Sequence, residues 1–573
     1  MRVWKRLRAG ATARRSASAT VPRVGRLAAA ICAAAFLAAG GAASAALVAG
    51  AGLAVTTGAT ATTAATATTP VTTLAAPSVV AFTGHGWGHG LGLGQWGANG
   101  YALHGWTHDR ILAHYYPGTT PGTAAVTTLR VLVASKPRVT LGASAPWTVV
   151  DATGATTTLQ AASVTLGREL LVQGASLVGP LTFRSAQPLT VDGRAYRGAL
   201  VVDVVGNRVD VVDRVGLEQY LRSVVAAEMP SSWPPEALQA QAVAARSYAL
   251  ANLQKGQPFD LYGDARSQVY GGVAAETAPA DAAVAATKGQ VLLYAGKVAD
   301  ALFFSTSGGR TASAAESTGV VVPYLVSVDD PYDTLSPYHD WGPVLDDAAQ
   351  VAETLKLPAP ISSLAATVGP SGRVTKVVVT SAGDSQATFT GNQFRTALGL
   401  RSTWFTPVFL QLAPAARSIT YGGAAGLSGV AVDAGAVTLE ARTPGGDWAA
   451  AGDVAVGPDG SFATIVKPRV STWYRLAWGT ARVGLAKVIV HARVTATPAP
   501  AGVTGVVRPV APGVQVQLQH RVADGTWSAV SSTVADSASR WSFGGALAAG
   551  TYRVRAAPGG GIAAGVSAPF TAP

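Results

Sequence analysis

The sequence predicts an α+β region, β-rich around a central helix pair, followed by two all-β, sandwich-like modules. Three observations carry this. Short apolar or alternating runs recur between residues 128 and 213, among them Leu129–Val133, Trp147–Val150, Leu170–Val172 and Leu200–Val205, with Gly-containing turns between them. Two segments with helical periodicity then adjoin. One runs from about Gly216 to Met229 and stops at Pro230; the other starts at Pro234-Pro235, where proline suits a first helical turn, and runs to about Leu253. Finally, the tail repeats itself: Gly429, Trp448, Phe462 and Tyr474-Arg475-Leu476 are answered by Gly505, Trp527, Trp541 and Tyr552-Arg553-Val554. The modules are placed at 410–492 and 500–573, with Pro498 and Pro500 at the joint.

The chain opens on a basic segment. Of its 43 Lys and Arg residues, eight fall within residues 1–26, which contain no acid. An apolar run from Leu27 to Leu37 follows, then Ala43-Ser44-Ala45. This order predicts a signal peptide over 1–46 and a secreted product; the alternative is an uncleaved segment kept as a membrane anchor. Without those eight cations, 35 basic and 31 acidic residues remain, a net charge of +4. Such a balance gives no nucleic-acid footprint. The single cysteine, Cys32, lies in the apolar run, so disulfides and cysteine–metal sites are not expected in the mature protein. Residues 47–78, Ala/Thr-rich and uncharged, read as a linker.

Residues 79–405 form the expected α+β region, beginning with a Gly-, His- and aromatic-rich stretch over 79–125. In the first helix, Leu217, Leu221 and Val224 make an apolar stripe, and Glu228 falls in its middle. A carboxylate there is desolvated and sits near the negative helix end, and both effects raise its pKa. An acid protonated near neutral pH is what glycosidic cleavage needs. A buried Glu paired structurally with an arginine such as Arg246 reads equally well. Glu218, Gln219 and Arg222 fall off the stripe and read as solvated.

The segment Leu217–Pro230, with Ala226-Ala227-Glu228-Met229-Pro230, and the segment Pro235–Leu250 resemble the core signature of the SpoIID/LytB family. Ser267-Gln268-Val269-Tyr270, Phe304–Thr311, Pro323–Leu325 with Asp329–Asp333, and Phe394–Ser402 resemble its further blocks, in order. Gly84–Ala98 resembles its glycine–histidine signature, with Leu93-Gly94 replacing the usual Met-Ser, and here the loop precedes the core instead of following it. The resemblance implies a lytic transglycosylase that cuts the MurNAc–GlcNAc bond of peptidoglycan to leave 1,6-anhydro-MurNAc ends, with Glu228 as catalytic residue and no cofactor. The alternative it admits is a non-catalytic, glycan-binding protein that stimulates a cell-wall amidase. The implied partners are glycan strands and such an amidase, in a cell-wall setting, with the membrane reached only through an uncleaved signal segment. Some relatives carry Cys and His zinc ligands before Gln-x-Tyr; Asp264–Gln268 has neither, so no metal is expected.

Within that frame, Ser305, Thr306 and Ser307 are candidates to place hydroxyls against the sugar, a polar β-turn being the alternative. Gln268 and Tyr270 are candidate sugar contacts by resemblance. The spacing of His85 and His89 aligns metal ligands only on a helix, which the surrounding glycines oppose. His85, Trp87, His89, Gln95 and Trp96 are therefore expected to line a substrate groove. Arg246 is a candidate partner of Glu228 or of substrate, a solvated arginine being the alternative. A hydrolase would need a second carboxylate, for which Glu236 and Asp264 are candidates.

Overall fold

The computed structural model describes residues 78–572; the expected signal peptide and nearly all of the expected linker lie outside them. Among the described residues no helix is long and apolar enough to cross a membrane. The chain is β-rich, with several separate sheets.

Five helices matter for the site. They are α1 (Gln95–Leu103), α2 (His108–Tyr115), α3 (Leu217–Glu228), α4 (Pro235–Ala251) and α5 (Ala278–Ala286). The two expected helices appear as α3 and α4, within two residues of the ends read from the sequence. Met229 adopts an extended conformation ahead of Pro230 and ends α3. The Ala-rich α4 is buried nearly all round, with α1, α2, α3, α5 and the strand Gln290–Tyr294 packed about it. Small side chains allow that close approach on every side. Helices α1 and α2 lie in the stretch read only as glycine-rich; Thr107 caps α2 by accepting from the Arg110 amide.

The expected strands between 128 and 213 join a seven-stranded sheet. Its order is Leu261–Tyr262, Thr128–Lys136, Arg208–Gly216, Ala199–Val205, Leu181–Ser185, Trp147–Val150, Thr156–Leu159. The run at 170–172 shrinks to a two-residue strand, because Leu170 takes a positive φ. Helix α3 continues directly from the strand Arg208–Gly216.

The division expected between 405 and 410 falls inside one strand, Phe405–Pro414. This strand pairs with Ser78–His85 on one edge and with Ala425–Val432 on the other. Alternate side chains leave the sheet on opposite faces. Phe405 and Phe409, with Val80 and Phe82, pack into a core reaching from Trp341 to Leu400; Val408, Leu410 and Leu412, with Ala81, pack into the first module. One sheet thus serves two cores, so the chain offers no break there. The region 79–405 itself holds two cores, a large one over 91–325 and the smaller one around Phe82, Phe394 and Phe405. The tail repeat is visible as register: Gly429 faces Phe462 and Gly505 faces Trp541 across paired strands, with no room for a Cβ at either glycine.

Candidate functional site

Glu228 closes α3 at the meeting point of α1, α3 and α4. Gln95, the first residue of α1, donates from Nε2 to Glu228 Oε2 at 3.2 Å and to Gln241 Oε1 of α4 at 3.4 Å. Gln95 and Gln241 are buried, while Glu228 keeps part of its surface open. Burial raises the Glu228 carboxyl above its ordinary pKa, and the Gln95 hydrogen bond opposes the shift. Among the described residues no arginine or lysine forms an ion pair with it. The group is surrounded densely enough to be desolvated, while the residue keeps some solvent-exposed surface.

Two tryptophans flank this corner. Trp96 follows Gln95, and Trp233 lies in the turn after α3; their rings meet edge to face at 4.9 Å and both stay half-buried. Trp233 was missed in reading the sequence, although its place in Pro230-Ser-Ser-Trp-Pro234, just after the acid, is a local signal.

The glycine–histidine segment is an extended loop gripped by main chain. Gly86, Gly88, Gly90 and Gly92 all take positive φ, which an L side chain would resist. Trp87 exchanges two backbone hydrogen bonds with Thr306 at 2.8 and 3.0 Å, the Gly88 amide donates to Arg401 O, and the His85 amide donates to Trp404 O. His85 stays half-exposed, its Nδ1 2.6 Å from Asp340 Oδ1 and its ring beside Trp404. Trp87 meets Tyr338 edge to face, with the Arg401 guanidinium near both rings.

Several expected site residues are structural instead. Both His89 nitrogens are taken: Nδ1 accepts from the Leu91 amide at 3.1 Å and Nε2 lies 3.0 Å from Phe303 O. Burial, with Arg395 and Arg373 nearby, lowers its pKa to about 4, so the ring is neutral and spoken for. Arg246 does not meet Glu228. It is wholly buried and donates to Glu218 Oε2 at 2.6 Å and Oε1 at 3.1 Å, so Glu218 is an ion-pair partner and not a solvated side chain. Gln268 is buried between the Tyr220 hydroxyl and Ala245 O, and Tyr270 donates to the buried Asp213 at 2.8 Å. Neither can touch a sugar in this arrangement.

Ser305, Thr306 and Ser307 come out as the alternative, a polar turn. Thr306 and Ser307 are wholly buried; Ser307 donates to Asp333 at 2.8 Å and Thr306 meets Ser336 at 2.8 Å. Ser305 remains half-buried, its carbonyl accepting from the Trp96 amide. Beneath this turn lies Asp330, fully buried, with its pKa pushed up to about 7 by burial and by the neighbouring Asp333. A Cβ at Gly97 would come within 2.1 Å of both Asp330 Oδ1 and the Tyr115 hydroxyl, so α1 can seat there only with glycine.

The two carboxylates considered as a second base are engaged elsewhere. Glu236 accepts from the His108 amide at 2.6 Å and its ring at 2.9 Å, and Asp264 pairs with Arg266 at 2.8 Å. Among the described residues no group of three or more His, Cys, Asp and Glu is placed to hold a metal. A concavity of about 630 Å³ in the C-terminal module, over Trp541 and Arg540, contains none of the expected residues.

These features define a class: a β-rich scaffold carrying one desolvated, unpaired carboxyl where a helix end meets a glycine–histidine loop. The family model of Stage II sporulation protein SpoIID matches residues 205–294, which hold Glu228, Arg246, Gln268 and Tyr270. The chain is 31% identical over 250 residues to Stage II sporulation protein D of Bacillus subtilis, covering 40% of this chain and 72% of that protein. The chain belongs to the SpoIID/LytB family. An uncharacterized protein of Brachyspira hyodysenteriae is 36% identical over 151 residues, 26% of this chain and 41% of that protein. The amidase enhancer of Bacillus subtilis is 32% identical over 187 residues, 32% of this chain and 25% of that protein. The chain thus spans less than half the length of those last two relatives.

Proposed function

We propose that the protein is a secreted peptidoglycan lytic transglycosylase of the cell wall, with Glu228 as acid and then base. The observation that carries this is the Glu228 carboxyl itself: raised by burial, free of any cation, open on one side, and held by a single donor from Gln95. Protonated Glu228 gives its proton to the glycosidic oxygen as the bond from MurNAc C1 breaks. The resulting carboxylate takes the proton of the MurNAc C6 hydroxyl, whose oxygen bonds to C1 and closes the 1,6-anhydro ring. The nucleophile belongs to the substrate, so no water has to be placed and one carboxyl suffices. The engagement of Glu236 with His108 and of Asp264 with Arg266 favours this over water-activated hydrolysis. Trp96 and Trp233 offer aromatic faces to the sugar beside the acid. His85 and Trp87 lie further along the same loop.

Digestion of purified sacculi by the full chain, with fragments read by mass spectrometry, tests this. The expected products have ends one water lighter than hydrolysis gives, and Glu228→Gln abolishes them. Reducing ends would overturn transglycosylation. A second reading rests on the amidase enhancer relative: the same groove binds glycan and stimulates a cell-wall amidase without cutting. It predicts intact sacculi and an unaffected Glu228→Gln variant.

A further inference from the structure

The positive charge of the chain is not shared evenly. Residues 79–409 carry 22 basic and 24 acidic residues, whereas residues 410–573 carry 13 basic and 7 acidic. The two tail modules, being repeats, show where that excess acts. In each, an outward arginine of one strand lies over a tryptophan: Arg475 over Trp448 at 4.0 Å, and Arg553 over Trp527 at 4.4 Å. In each, the residue opposite that arginine accepts from its Nε. In the first module this is Glu440, at 2.7 Å, which also holds Arg482 at 2.9 Å. In the second it is the neutral Gln519, at 2.8 Å.

That one exchange leaves the second face uncompensated. Arg555 stands two residues beyond Arg553 on the same side of its strand, and Arg521 lies opposite Trp527 on the neighbouring pair. Among the described residues none of these three guanidiniums has a carboxylate within ion-pair reach. Arg521 is exposed, and Arg553, Arg555 and Trp527 are half-buried. Desolvation, and then Arg555, lower the Arg553 pKa, as expected of cations crowded without an anion.

We propose that this face of the C-terminal module docks a phosphodiester-linked anionic polymer of the cell envelope. Outward side chains two residues apart on a strand stand about 7 Å apart. A linear polymer with one charge per short repeat meets both arginines at once, which a lone carboxylate cannot do. Guanidinium forks match phosphate oxygens in two-point contacts, and the indole supports the apolar side of the repeat. The envelope setting rests on the proposed function; the docking does not involve Glu228.

The test is binding of the full chain to purified poly(glycerol phosphate), measured by calorimetry at low and physiological salt. The wild type binds, more weakly as salt rises. Arg553→Gln/Arg555→Gln raises Kd about tenfold, from two partly screened contacts. Gln519→Glu removes no cation and copies the arrangement with which the first module folds, yet it also weakens binding, by about threefold. Variants within experimental error of wild type, salt-independent binding, or equal affinity for an uncharged glycan or a single-stranded oligonucleotide would each overturn the proposal. No glycan is cut in this assay, so a failure here and a failure of Glu228 chemistry on sacculi are read separately.

Discussion

Replacing Glu218 by Gln asks whether Arg246 is a strut of the fold or part of the reactive site. Arg246 has no solvent exposure; besides two bonds to Glu218 it donates to Gln290 O at 3.0 Å and more weakly to Ala242 O and Val284 O. Neutralising Glu218 leaves a buried cation facing only neutral dipoles. Breaking one side of a buried pair costs about 3–5 kcal/mol. Glu218 is 28% exposed and its replacement retains an oxygen acceptor, which places this case near the lower end, about 3 kcal/mol. Glu218 also accepts from the Gly289 amide, so the loop before Gln290 loosens with it. Native-state hydrogen exchange reads the loss locally. At about 1.4 kcal/mol per factor of ten, amides of α4 should exchange roughly a hundredfold faster. Glycan cleavage per folded molecule should hold, because neither residue approaches Glu228. The double variant Glu218→Gln/Arg246→Met should regain most of the protection, since no buried charge is then left unpaired. Exchange in the single variant within about threefold of wild type would refute the buried-pair account.

Two further outcomes depend on pH. Gln95 donates to the charged form of Glu228, so Gln95→Leu raises the carboxyl pKa further. An acid that must be protonated fails as pH rises through its pKa, so the alkaline limb of the kcat/KM profile should move to higher pH; an unmoved limb would show that Gln95 does not act on Glu228. Asp330 titrates near 7 when folded, above its value of about 3.9 when unfolded. A carboxyl raised in this way costs stability as pH climbs from the lower value to the higher. Asp330→Asn should therefore flatten the fall in melting temperature between about pH 4 and pH 7, with parallel curves counting against it.

The sequence revealed much of the scaffold and the acid, because both are written in short-range patterns. The stripe of Leu217, Leu221 and Val224 fixed the side of α3 on which Glu228 falls, and proline bounded both helices. What it concealed was partnership across long chain separations. Nothing local distinguishes Arg246 bound to Glu218 from Arg246 bound to Glu228, since both acids lie on α3, ten residues apart and so nearly three turns. Gln268 and Tyr270 look like polar ligands until the seven-stranded sheet and α4 close over them. Helix α1 went unread because Gly97 and Gly100 argue against a helix, whereas here glycine is demanded by Asp330, Tyr115 and Tyr332 pressing on its backbone. The boundary near 405 was hidden by a strand whose two faces feed different cores.

The place of the glycine–histidine loop before the core, where the family resemblance puts it after, has a physical reading in these contacts. The strand leading into the loop, Ser78–His85, is held between Asp340–Asp347 and Phe405–Pro414, both from the far end of the region. The loop itself is then fastened by backbone groups of His339, Thr306, Arg401 and Trp404. Main-chain bonds of this kind depend on where a segment lies, not on when it is synthesised. A loop joined at either end of the domain can occupy the slot, provided its glycines allow the positive φ values and Gln95 arrives at Glu228. The demand on the chain is therefore local at the glycines and spatial at the acid. That is why the Leu93-Gly94 replacement is tolerable: Leu93 is buried in the large core, and Gly94 leaves room for Asp330 beneath the first turn of α1.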